Sequence, residues 1–111
     1  MKRILLLTGA ALLLCNCSSD PVNTGVQEPA VVSMPGFTFS PFTTTIKVGK
    51  GVQFDFPSEA HNVIFEKKTG VPSDIQVVLN TKVTRTFNTV GTFPYDCTIH
   101  PGMSGQVIVT Q

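Results

Sequence analysis

The sequence predicts an all-β domain, a Greek-key antiparallel β-sandwich of seven to eight strands. Three observations carry that reading. Apolar residues recur with period two in short runs. The runs are separated by Gly, Pro, Asn, Asp and Ser at short spacing. No stretch after the N-terminus keeps the 3.6-residue period of an amphipathic helix. Short strands with turn signals between them pack most readily as two facing sheets.

The chain opens with Lys2 and Arg3 followed by an apolar run from Ile4 to Leu14 that only Thr8 and Gly9 interrupt. A membrane-spanning helix needs about 20 apolar residues, so this shorter run reads as an export signal over residues 1–16. Leu14-Cys15-Asn16-Cys17 resembles a bacterial lipoprotein cleavage site, with Cys17 as the lipidated first mature residue. Asn16 stands where that family prefers a small residue, which keeps ordinary signal cleavage and use of Cys15 as alternatives. Residues 17–35, with Pro21, Pro29, Pro35 and Gly25 and no sustained apolar period, read as a flexible tether, or as one ending in a short strand at Val31 and Val32. The expected location is periplasmic or at the cell surface, on a membrane anchor.

The folded domain is expected over residues 36–111. Phe37 and Phe39 share one face of a first run, followed by Thr44, Ile46 and Val48. Gly49-Lys50-Gly51 turns the chain into Val52, Phe54 and Phe56. His61 is in step with Val63 and Phe65, so its imidazole points inward with them. Glu66 to Asp74 is polar and turn-rich, a solvated loop. Ile75, Val77 and Leu79 alternate next, then residues 83–87. Phe93, Tyr95 and Cys97 fall on one face of a further strand, and 105–110 supply the last. Pro94 cannot donate to a ladder, so its side of that strand should meet an edge or a bulge.

Without residues 1–16 the chain keeps six basic against seven acidic side chains. That near-neutral balance argues against nucleic acid as a partner. Among three cysteines only Cys97 lies in the folded part, and a lone thiol in an oxidising compartment needs a reason to be there. Cys97-Thr98-Ile99-His100-Pro101-Gly102-Met103 sets thiol, imidazole and thioether at three-residue intervals, and His61 is the one other histidine. Singly, an inward cysteine, a buried histidine and a gap-filling methionine are ordinary core residues. Together they cannot continue one core face, because Pro101 and Gly102 break the strand and the chain must turn back before Gly105. The loop can therefore present three side chains to one point, with His61 as a fourth contact. Two histidines, a cysteine and a methionine form the donor set of an electron-transfer copper site; structural zinc more often takes Cys₄ to Cys₂His₂ sets.

His61-Asn62-Val63, Gly91-Thr92-Phe93-Pro94-Tyr95-Asp96-Cys97 and His100-Pro101-Gly102-Met103-Ser104-Gly105 resemble a small cupredoxin of the plastocyanin, amicyanin and pseudoazurin group. The two-residue gap between His100 and Met103 is similar to the short ligand loop of amicyanin. The resemblance implies one type 1 copper ion with His61, Cys97 and His100 as strong equatorial ligands and Met103 as the weak axial one. It implies that Asn62 ties the two ligand segments by hydrogen bonding. It implies as well that the electron leaves through His100, in an apolar patch formed by Pro101, Gly102, Pro35 and Gly36.

The function expected is single-electron transfer between a redox donor and acceptor by a monomer that is not an enzyme. Two histidines are too few for a multicopper oxidase, and one folded cysteine is too few for a binuclear site with two bridging thiolates. Copper storage or delivery is the alternative, although neither a methionine-rich nor a histidine-rich tract accompanies the motif. A sandwich that has lost its metal and serves as an interaction module is the other class.

Overall fold

A computed structural model describes residues 29–111. The signal-like segment, Cys17 and most of the tether-like stretch lie outside the described residues. Eight strands follow in order: β1 (Ala30–Val32), β2 (Thr43–Lys47), β3 (Gly51–Phe56), β4 (His61–Phe65), β5 (Ile75–Val78), β6 (Thr81–Thr86), β7 (Gly91–Asp96) and β8 (Ser104–Thr110). They form a three-stranded sheet, β1-β3-β6, and a five-stranded sheet, β2-β8-β7-β4-β5. No helix occurs among the described residues.

The alternation seen in the sequence is the packing pattern. Val52, Phe54 and Phe56 from one sheet face Val63, Phe65, Phe93, Tyr95, Val107 and Val109 from the other, and all are buried. Tyr95 stands at the centre, edge-on to Phe54 (ring centroids 5.3 Å apart), Phe39 (4.8 Å) and Phe65 (5.7 Å). Offset and edge contacts of this kind are favoured by the ring quadrupole and fix side chains as well as bury them.

Four expectations needed correction. First, the sandwich is not purely antiparallel: β1 pairs with β3 and β2 with β8 in parallel. The chain crosses from β1 to the other sheet and back before β3, so the two run the same way, and side-chain alternation carries no information about strand direction. Second, β1 lies inside the stretch 17–35 read as tether, at the position of the short-strand alternative. Val32 there is fully buried, and a three-residue strand is too short for a period to be read.

Third, Phe37 and Phe39 do not share a face. An antiparallel bridge between Ser33 and Ser40 closes a loop instead, in which Phe39 is buried and Phe37 is exposed. Fourth, Ile75 points inward but Val77 and Leu79 do not. Val63 pairs with Ile75 and His61 with Val78, so three steps of β5 oppose two of β4. That bulge transfers Val78 to the core side and turns Val77 outward.

Pro94 sits in a central strand without breaking it. Its carbonyl accepts from Glu66 N–H at 2.9 Å, just past the end of β4. Both backbone groups of an extended residue face the same neighbour, so the missing donor falls where β4 has already ended.

Candidate metal centre

Two segments at one end of the sandwich converge. His61 opens β4 and is fully buried. Cys97 follows β7 and is buried in step with Phe93 and Tyr95. Beyond it the chain makes two successive tight turns. His100 N–H bonds to Cys97 C=O (3.3 Å), and Met103 N–H bonds to His100 C=O (3.1 Å). Pro101 and Gly102 occupy the centre of the second turn, where Gly102 takes φ +88°. Proline followed by a residue of positive φ is the signature of a type II turn. Cys97 N–H then bonds to Met103 C=O at 2.9 Å and closes the loop, continuing the pairing of β7 with β8. The short loop thus sets buried Met103 back beside Cys97 with His100 above them.

The donor atoms of three residues face each other. Cys97 Sγ lies 3.8 Å from His61 Nδ1 and 3.5 Å from His100 Nδ1, and the two Nδ1 atoms are 3.1 Å apart. A triangle with these sides has one point about 2.0 Å from every corner, within the roughly 2.0–2.3 Å of nitrogen and sulfur bonds to a first-row ion such as zinc. Three electron-pair donors aimed at one another repel unless a cation or protons sit among them. Among the described residues no carboxylate joins the cluster. Burial pushes the His61 pKa below the ordinary histidine value and the neighbouring His100 adds to the effect, against a smaller upward pull from Glu59. One thiol and two imidazoles, with Met103 buried in the same loop as Cys97, fit copper.

Asn62 locks the two segments together. Its Oδ1 accepts from Thr98 N–H (2.8 Å), and its Nδ2 donates to Thr98 Oγ1 (2.9 Å). Each partner is next to a candidate ligand, Asn62 to His61 and Thr98 to Cys97. Such supporting hydrogen bonds commonly set ligand orientation in metal sites. On the far side of β4, Asp74 Oδ1 accepts from Phe65 N–H (2.8 Å), while Arg85 of β6 donates to the carbonyls of Ser73 and Asp74. The loop before β5 therefore joins the two sheets beneath the site.

Around His100 the surface is apolar. Pro101, Gly102, Pro35 and Gly36 are exposed there or in the facing loop. Sequence reasoning missed Phe37 and Phe42, which are 54% and 56% exposed and line a groove with Phe39, Gly102, Met103 and Ser104. The Phe37 ring lies against His100, with centroids 4.6 Å apart. The signal was Pro35-Gly36, a turn pair immediately before Phe37, which contradicts a strand through that residue.

A two-sheet β-sandwich that gathers one thiol and two imidazoles at one end, from the start of β4 and the loop after β7, defines a mononuclear copper-binding domain. Comparison with known proteins agrees. The chain belongs to the copper-binding proteins of the plastocyanin/azurin family, whose model matches residues 29–110. Amicyanin-alpha of Methylorubrum extorquens is 37% identical over 68 residues, 58% of this chain. That match spans 57% of the relative's own length. The fold is similar to the crystal structure of amicyanin from Paracoccus versutus, at 29% identity and a TM-score of 0.62, covering 78% of this chain and 85% of that one. A reduced mutant form of amicyanin gives 27% identity and a TM-score of 0.64, over 76% of this chain and 85% of the other.

Proposed function

We propose that the protein is an extracytoplasmic one-electron carrier and not an enzyme, in which His61, Cys97 and His100 would hold one type 1 copper ion strongly and Met103 would be its weak fourth ligand. The observation that carries this reading is the convergence of three donor atoms on a point about 2.0 Å from each. Bound copper supplies exchange of a single electron between its two oxidation states, the thiolate and thioether favouring the reduced ion and the imidazoles accepting both.

The chain's part is to keep the donors still. His61 is held in a buried strand end, Cys97 by the closed loop, and both by the Asn62–Thr98 pair, so little structure needs to rearrange when the charge of the site changes. His100 is partly exposed and reaches the surface, which supports it as the route for the electron. The apolar rim of Phe37, Phe42 and Pro101 supports brief contact with redox donors and acceptors by a monomer. Small, weakly polar contacts suit fast release.

The N-terminal features complete the proposal: residues 1–16 direct export, Cys17 carries a lipid, and the stretch ahead of β1 acts as tether. Radiolabelled lipid incorporation in intact cells tests this, with Cys17→Ala expected to abolish it and Cys15→Ala to leave it. The copper reading is tested by binding Cu(II) to the purified protein and cycling it with ascorbate and an oxidant. A stable pale copper complex that cannot be cycled would favour storage or delivery.

A further inference from the structure

Phe37 is an anomaly in an otherwise economical domain. Its φ of +55° is a left-handed conformation that a residue with a β-carbon adopts at a cost, and it follows Gly36 at φ +49°. Burial does not explain the conformation, since the side chain is 54% exposed while neighbouring Phe39 fills the core. The loop that carries it is built firmly. Ser33 and Ser40 exchange backbone hydrogen bonds of 2.9 and 2.8 Å at its base, and Thr38 Oγ1 donates to Pro35 C=O at 2.7 Å across its tip.

What the conformation achieves is contact with His100, whose ring centroid is 4.6 Å away at a 45° tilt; His61 is edge-on at 6.4 Å. His100 needs such a partner. A metal-ligating histidine is usually oriented by a hydrogen bond from its other ring nitrogen. Among the described residues no protein group bonds to His100 Nε2, and the polar contacts of the ring are made through Nδ1, toward Cys97 and His61. Backbone turns fix where His100 begins, but not the rotation of its ring.

We propose that Phe37 is the positioning residue of His100: the left-handed tip of the 33–40 loop holds its ring against the imidazole, keeps Nδ1 turned to the metal point and covers that face from water. The inference rests on His100 being a copper ligand. Its consequences differ from those of a merely exposed side chain. Phe37→Ala is expected to release copper to a chelator faster by roughly two- to tenfold, the range that one aromatic pair supports. The reduction potential is expected to fall, because water reaching His100 favours the more highly charged oxidised site.

The test compares Phe37→Ala, Phe37→Leu and Phe37→Tyr with wild type by chelator-driven copper release, reduction potential and, in the metal-free protein, NMR contacts between residue 37 and the His100 ring. The expected result is a thermal midpoint close to wild type for all three variants, fast release and a lowered potential for Ala and Leu, and rescue by Tyr. Wild-type release and potential in Phe37→Ala would overturn the inference, as would full rescue by Leu, which removes the ring but keeps apolar bulk. Failure of the underlying copper reading is distinguishable, since the wild-type protein itself would then bind no copper through His100.

Discussion

Replacing Asn62 by Ala removes both hydrogen bonds between the ligand segments without touching a candidate ligand. Two terms set the magnitude. The Thr98 N–H loses its acceptor, and a donor left without a partner costs about 1–3 kcal/mol where water cannot replace the bond. The Nδ2 to Thr98 Oγ1 bond contributes about 1 kcal/mol more, since the hydroxyl can turn to solvent. The metal-free protein should therefore lose about 2–4 kcal/mol, which for a domain of this size lowers the thermal midpoint by roughly 10–25 °C. Copper affinity should fall about 10- to 100-fold, the usual effect of losing a group that orients ligands. Urea unfolding of the metal-free protein reads the first quantity, and competition with a copper chelator reads the second. Thr98→Val provides the internal control: it removes the hydroxyl and keeps the amide, so it should cost about 1 kcal/mol alone and close to nothing in the Asn62→Ala background. An unchanged urea midpoint together with unchanged copper affinity in Asn62→Ala would refute the reasoning and leave strand pairing as what joins the segments.

Other predictions rest on separate parts of the molecule. Gly105→Ala places a β-carbon 2.7 Å from Tyr95 Oη and 2.8 Å from Cζ, against a ring that Phe39, Phe54 and Phe65 hold in place; urea titration should show a loss of about 1–3 kcal/mol. Tyr95→Phe removes a buried hydroxyl that has no hydrogen-bond partner among the described residues and should leave stability equal or raise it by about 1 kcal/mol in the same titration. Desolvation pushes the Asp74 carboxyl upward, but hydrogen bonds from Lys67 and Phe65 N–H and the charges of Lys67 and Arg85 outweigh it and hold its pKa below the ordinary value of 3.8. A carboxyl depressed on folding stabilises the fold above its unfolded pKa, so that contribution is complete above pH 3.8 and fades as acid approaches the folded value. Urea midpoints measured against pH should lose that acid limb in Asp74→Asn. Met103→Leu should retain copper, with voltammetry showing a shifted reduction potential; complete loss of copper would make the methionine more than a weak ligand.

Much of the candidate metal centre was legible because its signals are local. Cys97, His100 and Met103 fall within one loop whose Pro101-Gly102 pair dictates the turn, and the inward direction of His61 follows from the period it shares with Val63 and Phe65. The contact between these segments is a property of the tertiary structure, and there the resemblance to a known family supplied what spacing alone does not. The illegible parts share a different cause. Strand direction leaves no trace in alternation, so the parallel pairs β1-β3 and β2-β8 were missed. A bulge transfers side chains between faces without altering the sequence pattern, which is why the alternation of Ile75 and Val77 does not carry through to one buried face. Phe37 was misplaced because its two-residue spacing from Phe39 was read as strand alternation, whereas it lies in a loop with its ring on the surface against His100.

The most direct test of the central claim is a Cu(II) titration of the purified protein followed by visible absorption and EPR, with Cys97→Ser run beside it. The account predicts an intense blue band and narrow copper hyperfine splitting at one ion per chain, bleached by ascorbate and restored on reoxidation, with the band absent from a Cys97→Ser protein that still folds. A pale complex with ordinary hyperfine splitting, or an intense band that survives in Cys97→Ser, would show that the thiol of Cys97 is not a short ligand and would contradict the account.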